Sequence, residues 1–285
     1  MNPIVKGWYA DPEVRFYEGK YWVYVTKSFT RYKKQLNINA FSSGDGISWE
    51  KHENIIDMTG FPWICKAVWA PTIIEKDGRY YLIFASNDIK SNREKGGLEI
   101  ACADRPDGPF KALLDKPLIG EFFNGAQPID AHLFKDDDGE IYLYYGGWGH
   151  CNVASLNDEM TGLKTSMKEV TPPGYVEAPC MLKKDGKYHF MWSTGNWMNG
   201  SYRVLYSAAD NPHGPFEDAR CILRSNKKIA NGPGHHGWAA DPSSGEYYIY
   251  YHRRKPGDFL PGHRILCKDR LLFDDNGLIM PVVMT

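Results

Sequence analysis

Long apolar runs are missing from this chain. Nowhere does it approach the roughly 18–20 consecutive apolar residues that a membrane-spanning helix requires. A charge excess is missing too. Lys plus Arg number 34 and Asp plus Glu 35, a net charge of −1. Duplex nucleic acid and anionic membrane both select basic surfaces, so neither is an expected partner. Cysteine is sparse and scattered. Cys65, Cys102, Cys151, Cys180, Cys221 and Cys267 include no C-x-x-C pair, which excludes the usual zinc and redox spacings. They are expected to be buried single thiols. No sustained apolar spacing of 3.6 residues runs through the chain, so long helices are not expected. The opening Met1-Asn2-Pro3-Ile4-Val5 lacks a basic-then-apolar leader. The expected compartment is the cytoplasm, or the exterior if a leader precedes the sequence given.

What is abundant is aromatic. Phe, Trp and Tyr supply 14% of 285 residues, beside 28 Gly and 18 Pro, a composition of short strands and tight turns. With 42% hydrophobic residues the chain can bury a sizeable core.

One pattern recurs, a glycine turn, a polar residue and an aromatic-rich strand. It is seen in Gly19-Lys20-Tyr21-Trp22-Val23-Tyr24 and in Gly78-Arg79-Tyr80-Tyr81-Leu82-Ile83-Phe84. It returns in Gly139-Glu140-Ile141-Tyr142-Leu143-Tyr144, Gly186-Lys187-Tyr188-His189-Phe190-Met191-Trp192 and Gly245-Glu246-Tyr247-Tyr248-Ile249-Tyr250. The glycines stand 59, 61, 47 and 59 residues apart. Each copy reads as the second strand of a hairpin whose turn needs positive φ at glycine. Ala103–Phe110 and Ala209–Phe216 repeat as a second motif, an outer turn ending in an inserted aromatic. Five such units suit four-stranded blades around an axis. The expected fold is all-β, a five-bladed β-propeller occupying 1–285 as one domain. A β-sandwich would have no need of five copies of one hairpin.

A short motif precedes the repeat in four units: Ala10-Asp11-Pro12, Trp69-Ala70-Pro71, Ile129-Asp130-Ala131 and Glu177-Ala178-Pro179. Equivalent positions of successive blades converge on one end of the central channel, so Asp11, Trp69, Asp130 and Glu177 are expected to face one another. Singly each has an ordinary explanation: Asp before Pro forms turns, and a lone Trp packs in a core. Together they place three carboxyl groups in one funnel, where like charges raise one another's pKa. Glycoside hydrolysis uses such a set. One carboxyl protonates the leaving oxygen and one activates water, while a third charge can keep the acid protonated. Trp69 offers a flat face to a sugar ring.

Read in order, these motifs resemble glycoside hydrolase family 43. Tyr9-Ala10-Asp11-Pro12, Ala67-Val68-Trp69-Ala70-Pro71, Ile129-Asp130-Ala131-His132-Leu133-Phe134, Val176-Glu177-Ala178-Pro179 and Asn231-Gly232-Pro233-Gly234-His235-His236 carry the resemblance, which spans nearly the whole chain. It implies a five-bladed propeller and an inverting mechanism. In it Asp11 is the base, Glu177 the acid, and Asp130 the residue that orients and tunes the acid. It also implies a channel histidine at His235, near a calcium reached through water, and an arginine at Arg264 that reaches sugar hydroxyls. Calcium prefers oxygen ligands, so His235 alone is a poor site. Thr72, Ala131 and Ala178 depart from the family's commoner residues but remove no catalytic carboxylate.

The expected activity is release of terminal α-L-arabinofuranose from plant cell-wall oligosaccharides. β-D-Xylosidase and endo-arabinanase are the alternatives within the class, and a non-catalytic carbohydrate-binding propeller is the alternative outside it. An oligosaccharide or polysaccharide is the expected partner. Loops 28–36, 87–97 and 253–263 are expected to shape the pocket.

Overall fold

A computed structural model describes residues 2–29 and 35–285. Five antiparallel sheets follow one another in chain order. The first holds β1 (Tyr9–Tyr17), β2 (Lys20–Lys27), β3 (Ile38–Ser43) and β4 (Glu50–His52). The second holds β5 (Val68–Lys76), β6 (Arg79–Ser86), β7 (Gly97–Ala103) and β8 (Lys111–Ala112). Next come β9 (His132–Lys135), β10 (Ile141–Tyr145), β11 (Asn152–Ser155) and β12 (Lys168–Glu169). The fourth has β13 (Glu177–Lys184), β14 (Lys187–Thr194), β15 (Arg203–Ala209) and β16 (Arg220–Leu223). The fifth has β17 (Asn231–Ala240), β18 (Tyr247–Arg254) and β19 (Ile265–Arg270). The sheets are the blades of a five-bladed β-propeller, as expected. The fifth blade differs from expectation in having three strands among the described residues. The N-terminal segment lies along its edge instead, where Ile4 N–H donates to Leu266 O at 3.0 Å and Tyr9 N–H to Arg264 O at 2.8 Å.

Every repeat strand found in the sequence is the second strand of its blade. Three of the hairpins close through two residues that both have positive φ: Glu18-Gly19, Asp77-Gly78 and Asp185-Gly186. The other two have longer turns. Asp136 and Asp241 each donate N–H across the turn to the carbonyl of Glu140 and Glu246.

The aromatic runs have a physical reason. A middle strand is covered on both faces, so side chains of both parities are apolar. Val23 packs towards the fifth blade with Tyr250 and Leu266, while Tyr24 packs towards the second with Ile73 and Phe84. Ile83 meets Leu133 and Leu143 of the third blade. Tyr144 meets Phe190 and Trp192 of the fourth, and Met191 meets Ile249 and Tyr251 of the fifth. One apolar cluster therefore fills each of the five blade interfaces. The second motif ties blades at their outer ends. Phe110 and Phe216 are buried, and the preceding turns receive Tyr hydroxyls of the neighbouring blade, Tyr24 to Pro106 O and Tyr144 to Pro212 O. All six cysteines are free; Cys65 is exposed and Cys221 half-buried, so burial holds only for the other four.

Candidate active site

The inner strands of four blades are interrupted at the same end of the channel, and the third blade's begins there. Ladder register slips between Ala10 and Glu13, Trp69 and Thr72, Glu177 and Cys180, and twice between Asn231 and His236. At each slip, and just before β9, one non-glycine residue takes left-handed backbone. These are Asp11 (φ 52°), Ala70 (49°), Asp130 (54°), Ala178 (57°) and His235 (35°). Each such residue costs roughly 1–2 kcal/mol. Bulges of this kind re-aim side chains and gather next to active sites. Here they turn Asp11, Asp130 and His235 inwards, together with Trp69 and Glu177, which precede the strained alanines.

The outcome is one pocket of about 290 Å³ lined by Asp11, Trp69, Asp130, Glu177, His235 and Arg264. Every site residue expected from the sequence is in it.

Asp11 is buried beside two positive groups, Arg264 and His235, and the ring of His252. Arg264 Nη1 donates to its Oδ1 at 3.0 Å, His235 Nδ1 lies 3.5 Å from the same oxygen, and His252 Nδ1 lies 3.3 Å away. Burial opposes its charge, but Arg264 and then His235 overcome that and hold the carboxyl far below the ordinary carboxylate range. His252 is neutral, its pKa pushed down to about 3 by burial. A neutral ring suits its geometry, since Nδ1 accepts the Asp11 backbone N–H at 3.3 Å.

Glu177 is in the opposite state. Burial, and then the negative charge of Asp130, lift its pKa to about 7. Tyr202 donates its hydroxyl to Glu177 Oε1 at 2.7 Å, and the Tyr202 ring stacks in parallel on His252. His235 stands between Asp11 and Asp130, with Nδ1 3.4 Å from Asp130 Oδ2. Burial alone would discharge it, but Asp130 and Asp11 raise its pKa to about 9, so it is an imidazolium at neutral pH. Two carboxyl groups in one pocket are thus driven apart, one ionised and one protonated. That is the arrangement of a base and an acid working together.

Arg264, which the resemblance places at the sugar hydroxyls, lines the pocket and has protein partners as well. Its Nη1 goes to Asp11, its Nε donates to Ser28 Oγ at 3.0 Å, and its guanidinium lies over the Trp197 ring. The calcium expectation finds no donor set that fits. No group of three or more His, Cys, Asp or Glu side chains is arranged to hold a metal among the described residues. His235, His236 and His252 offer nitrogen where calcium wants oxygen.

Sequence reading missed Tyr202, His252, Trp148, Trp197 and Gln127. Tyr202 stands just before β15 and His252 lies late in β18, and neither carries a motif. The signal for Tyr202 was indirect: a Cβ on Gly234, in the glycine-histidine segment, would come within 2.3 Å of the Tyr202 ring. Of the expected pocket loops, 87–97 contributes Asp88 and Lys90. Residues 30–34 of loop 28–36 lie outside the described residues, while Phe29 and Gln35 at its ends line the pocket. Loop 253–263 differs from expectation. It begins inside β18 and lines no part of the pocket. Instead it braces the rim, with His263 stacked on Trp8 and Asp258 O accepting from Asn231 Nδ2.

The chain is similar to known proteins in sequence and in fold. A sequence model described as "Glycosyl hydrolases family 43" matches residues 1–279. A β-D-galactofuranosidase, xynD, of Aspergillus niger is 40% identical over 295 residues, covering 100% of this chain and 85% of that protein. A β-xylosidase of Xylanibacter ruminicola is 26% identical, covering 96% of each. Among solved structures, an α-L-arabinofuranosidase from Clostridium thermocellum superposes with a TM-score of 0.80 at 26% identity, covering 97% of this chain and 94% of that one.

Proposed function

The chain belongs to glycosyl hydrolase family 43, and from that premise we propose that it is an inverting, exo-acting furanosidase releasing terminal α-L-arabinofuranose from plant cell-wall saccharides. The observation that carries the chemistry is the split between Asp11, held ionised by Arg264 and His235, and Glu177, held protonated close to neutrality by burial and by Asp130. Asp11 takes a proton from water as that water attacks the anomeric carbon. Glu177 gives its proton to the departing glycosidic oxygen, and the bond to the leaving group breaks. Asp130 acts through its charge on Glu177, and Tyr202 fixes Glu177 Oε1 so that the other oxygen carries the transferable proton. Trp69 supports the sugar face.

A second reading has a specific observation behind it, the 40% identity to a β-D-galactofuranosidase. β-D-Galactofuranose and α-L-arabinofuranose share the configuration of their ring carbons and differ by one exocyclic hydroxymethyl group. A pocket that grips the ring serves both. Release of p-nitrophenol from the α-L-arabinofuranoside, the β-D-galactofuranoside and the β-D-xylopyranoside separates the readings. The arabinofuranoside is expected to be cleaved fastest. A faster galactofuranoside transfers the assignment to that sugar, and silence on all three ends the exo-acting proposal.

A further inference from the structure

The catalytic pocket does not end at its own rim. Trp148 lines it, 51% exposed, on the turn between β10 and β11. Trp148 has left-handed backbone, with φ of 59°, an outlier for so bulky a residue. The turn that displays it is rigid. Gly146 N–H donates to Ile129 O at 3.0 Å, Gly147 N–H to Gln127 O at 3.0 Å and Gly149 N–H to Val176 O at 3.2 Å. A Cβ on Gly146 would lie 2.0 Å from His150 O, so the turn needs glycine there. A half-exposed Trp held this firmly in strained backbone is a prepared surface, since strain of this sort collects at ligand clamps.

The surface continues. The Trp148 ring lies 5.0 Å from Phe122, whose N–H donates to Asn92 Oδ1 at 2.8 Å. Phe123, 38% exposed, follows, and it opens onto a second cavity of about 550 Å³ bounded by Trp63 and Pro117. Loop 87–97 is the shared wall. Its Asp88 and Lys90 face the catalytic pocket, while its Asn92 and Glu94 face the second cavity. Charge around that cavity is mixed, with Glu94, Asp115 and Glu121 set against Lys95 and Lys116. A field of neither sign suits a neutral polymer rich in hydroxyl groups.

We infer that Trp148, Phe122 and Phe123 form a stacking track that leads a neutral polysaccharide chain from the catalytic pocket into the groove behind loop 87–97. The track rests on the hydrolase reading and extends it: the leaving group is a long saccharide chain. Sugar rings lay their C–H faces on the three aromatics, and the polar groups of the groove take the hydroxyls.

The test compares the purified protein with its Trp148→Ala and Phe123→Ala variants on arabinoxylan and on p-nitrophenyl α-L-arabinofuranoside. The quantity read is the ratio of kcat/KM on polymer to that on the aryl glycoside. Truncating an aromatic anchor is expected to lower this ratio about tenfold, mainly through KM on the polymer. Melting temperature identifies any variant that has unfolded; Phe123, outside the catalytic pocket, keeps the test available if Trp148→Ala does. An unchanged ratio in folded Phe123→Ala, or an equal loss on both substrates, overturns the track. Wild-type release of p-nitrophenol, and its loss in Glu177→Gln, report on the hydrolase reading separately. If that reading fails, isothermal titration with arabinoxylan still decides the track: weaker binding by Phe123→Ala supports it, and equal binding overturns it.

Discussion

Individual side chains set the protonation states on which the chemistry depends. Asp11 stays charged because Arg264 touches it, and Glu177 keeps its proton up to about neutrality because of burial and then the nearby charge of Asp130. Glu177→Gln removes the transferable proton while keeping size, so kcat is expected to fall roughly 10²–10⁴-fold in steady-state assays. Activity should also decline as pH rises through about 7, where Glu177 loses its proton. Tyr202→Phe tests this assignment. The Tyr202 hydroxyl donates to Glu177 and so favours the ionised carboxylate. Its removal raises the Glu177 pKa, and the alkaline limb of the pH–rate profile moves upwards. A limb that stays in place or moves down shows that Glu177 is not the group titrating there.

Strands and turns deliver those side chains to one point. The bulges in β1, β5 and β13 turn Asp11, Trp69 and Glu177 towards the axis without ending the strand, because pairing resumes three residues later. The same economy governs the β10–β11 turn. Gly146→Ala places a methyl group against His150 O at a φ of 149°. It is expected to cost about 2 kcal/mol or more in denaturant unfolding and to disturb Trp148, weakening polymer hydrolysis. The hairpins show why the glycines could be read from sequence: at Gly19, Gly78 and Gly186 a two-residue turn needs left-handed backbone twice, and Gly supplies it cheaply.

Across the whole molecule, one buried polar network joins the blades beneath the pocket. Glu13 of β1 accepts from Thr72 Oγ1 of the second blade at 3.0 Å and faces His132 Nδ1 of the third at 3.2 Å. Arg15 pairs with Glu13 at 2.9 Å and donates to Ile73 O and Leu133 O. His132 Nε2 lies 3.3 Å from Met181 O of the fourth blade, which also receives Trp238 Nε1 of the fifth. Burial opposes the Glu13 charge, but Arg15 and then His132 hold its pKa below the ordinary glutamate value. Its contribution to stability is therefore present above the unfolded glutamate range and is lost as pH falls through the folded value. Glu13→Gln strands Arg15 and is expected to cost about 3 kcal/mol near neutrality. The gap to wild type should narrow in acid; thermal melts from neutral pH downwards check both parts.

Local pattern was enough to identify the repeat, the all-β class, the five units and four of the pocket residues, Asp11, Trp69, Asp130 and Glu177, whereas His235 and Arg264 came from the family resemblance. Turn glycines, doubly buried aromatic strands and the short motifs before them are features of neighbours along the chain, so they are visible without coordinates. Features made by residues far apart in sequence were not visible: Tyr202 against Glu177, His252 against Asp11, the commitment of Arg264 to Asp11, and the aromatic run from Trp148 to Phe123. The physical reason is distance. Backbone preference acts over a few residues, whereas charge state and stacking depend on whatever side chain closure of the ring brings within a few ångströms.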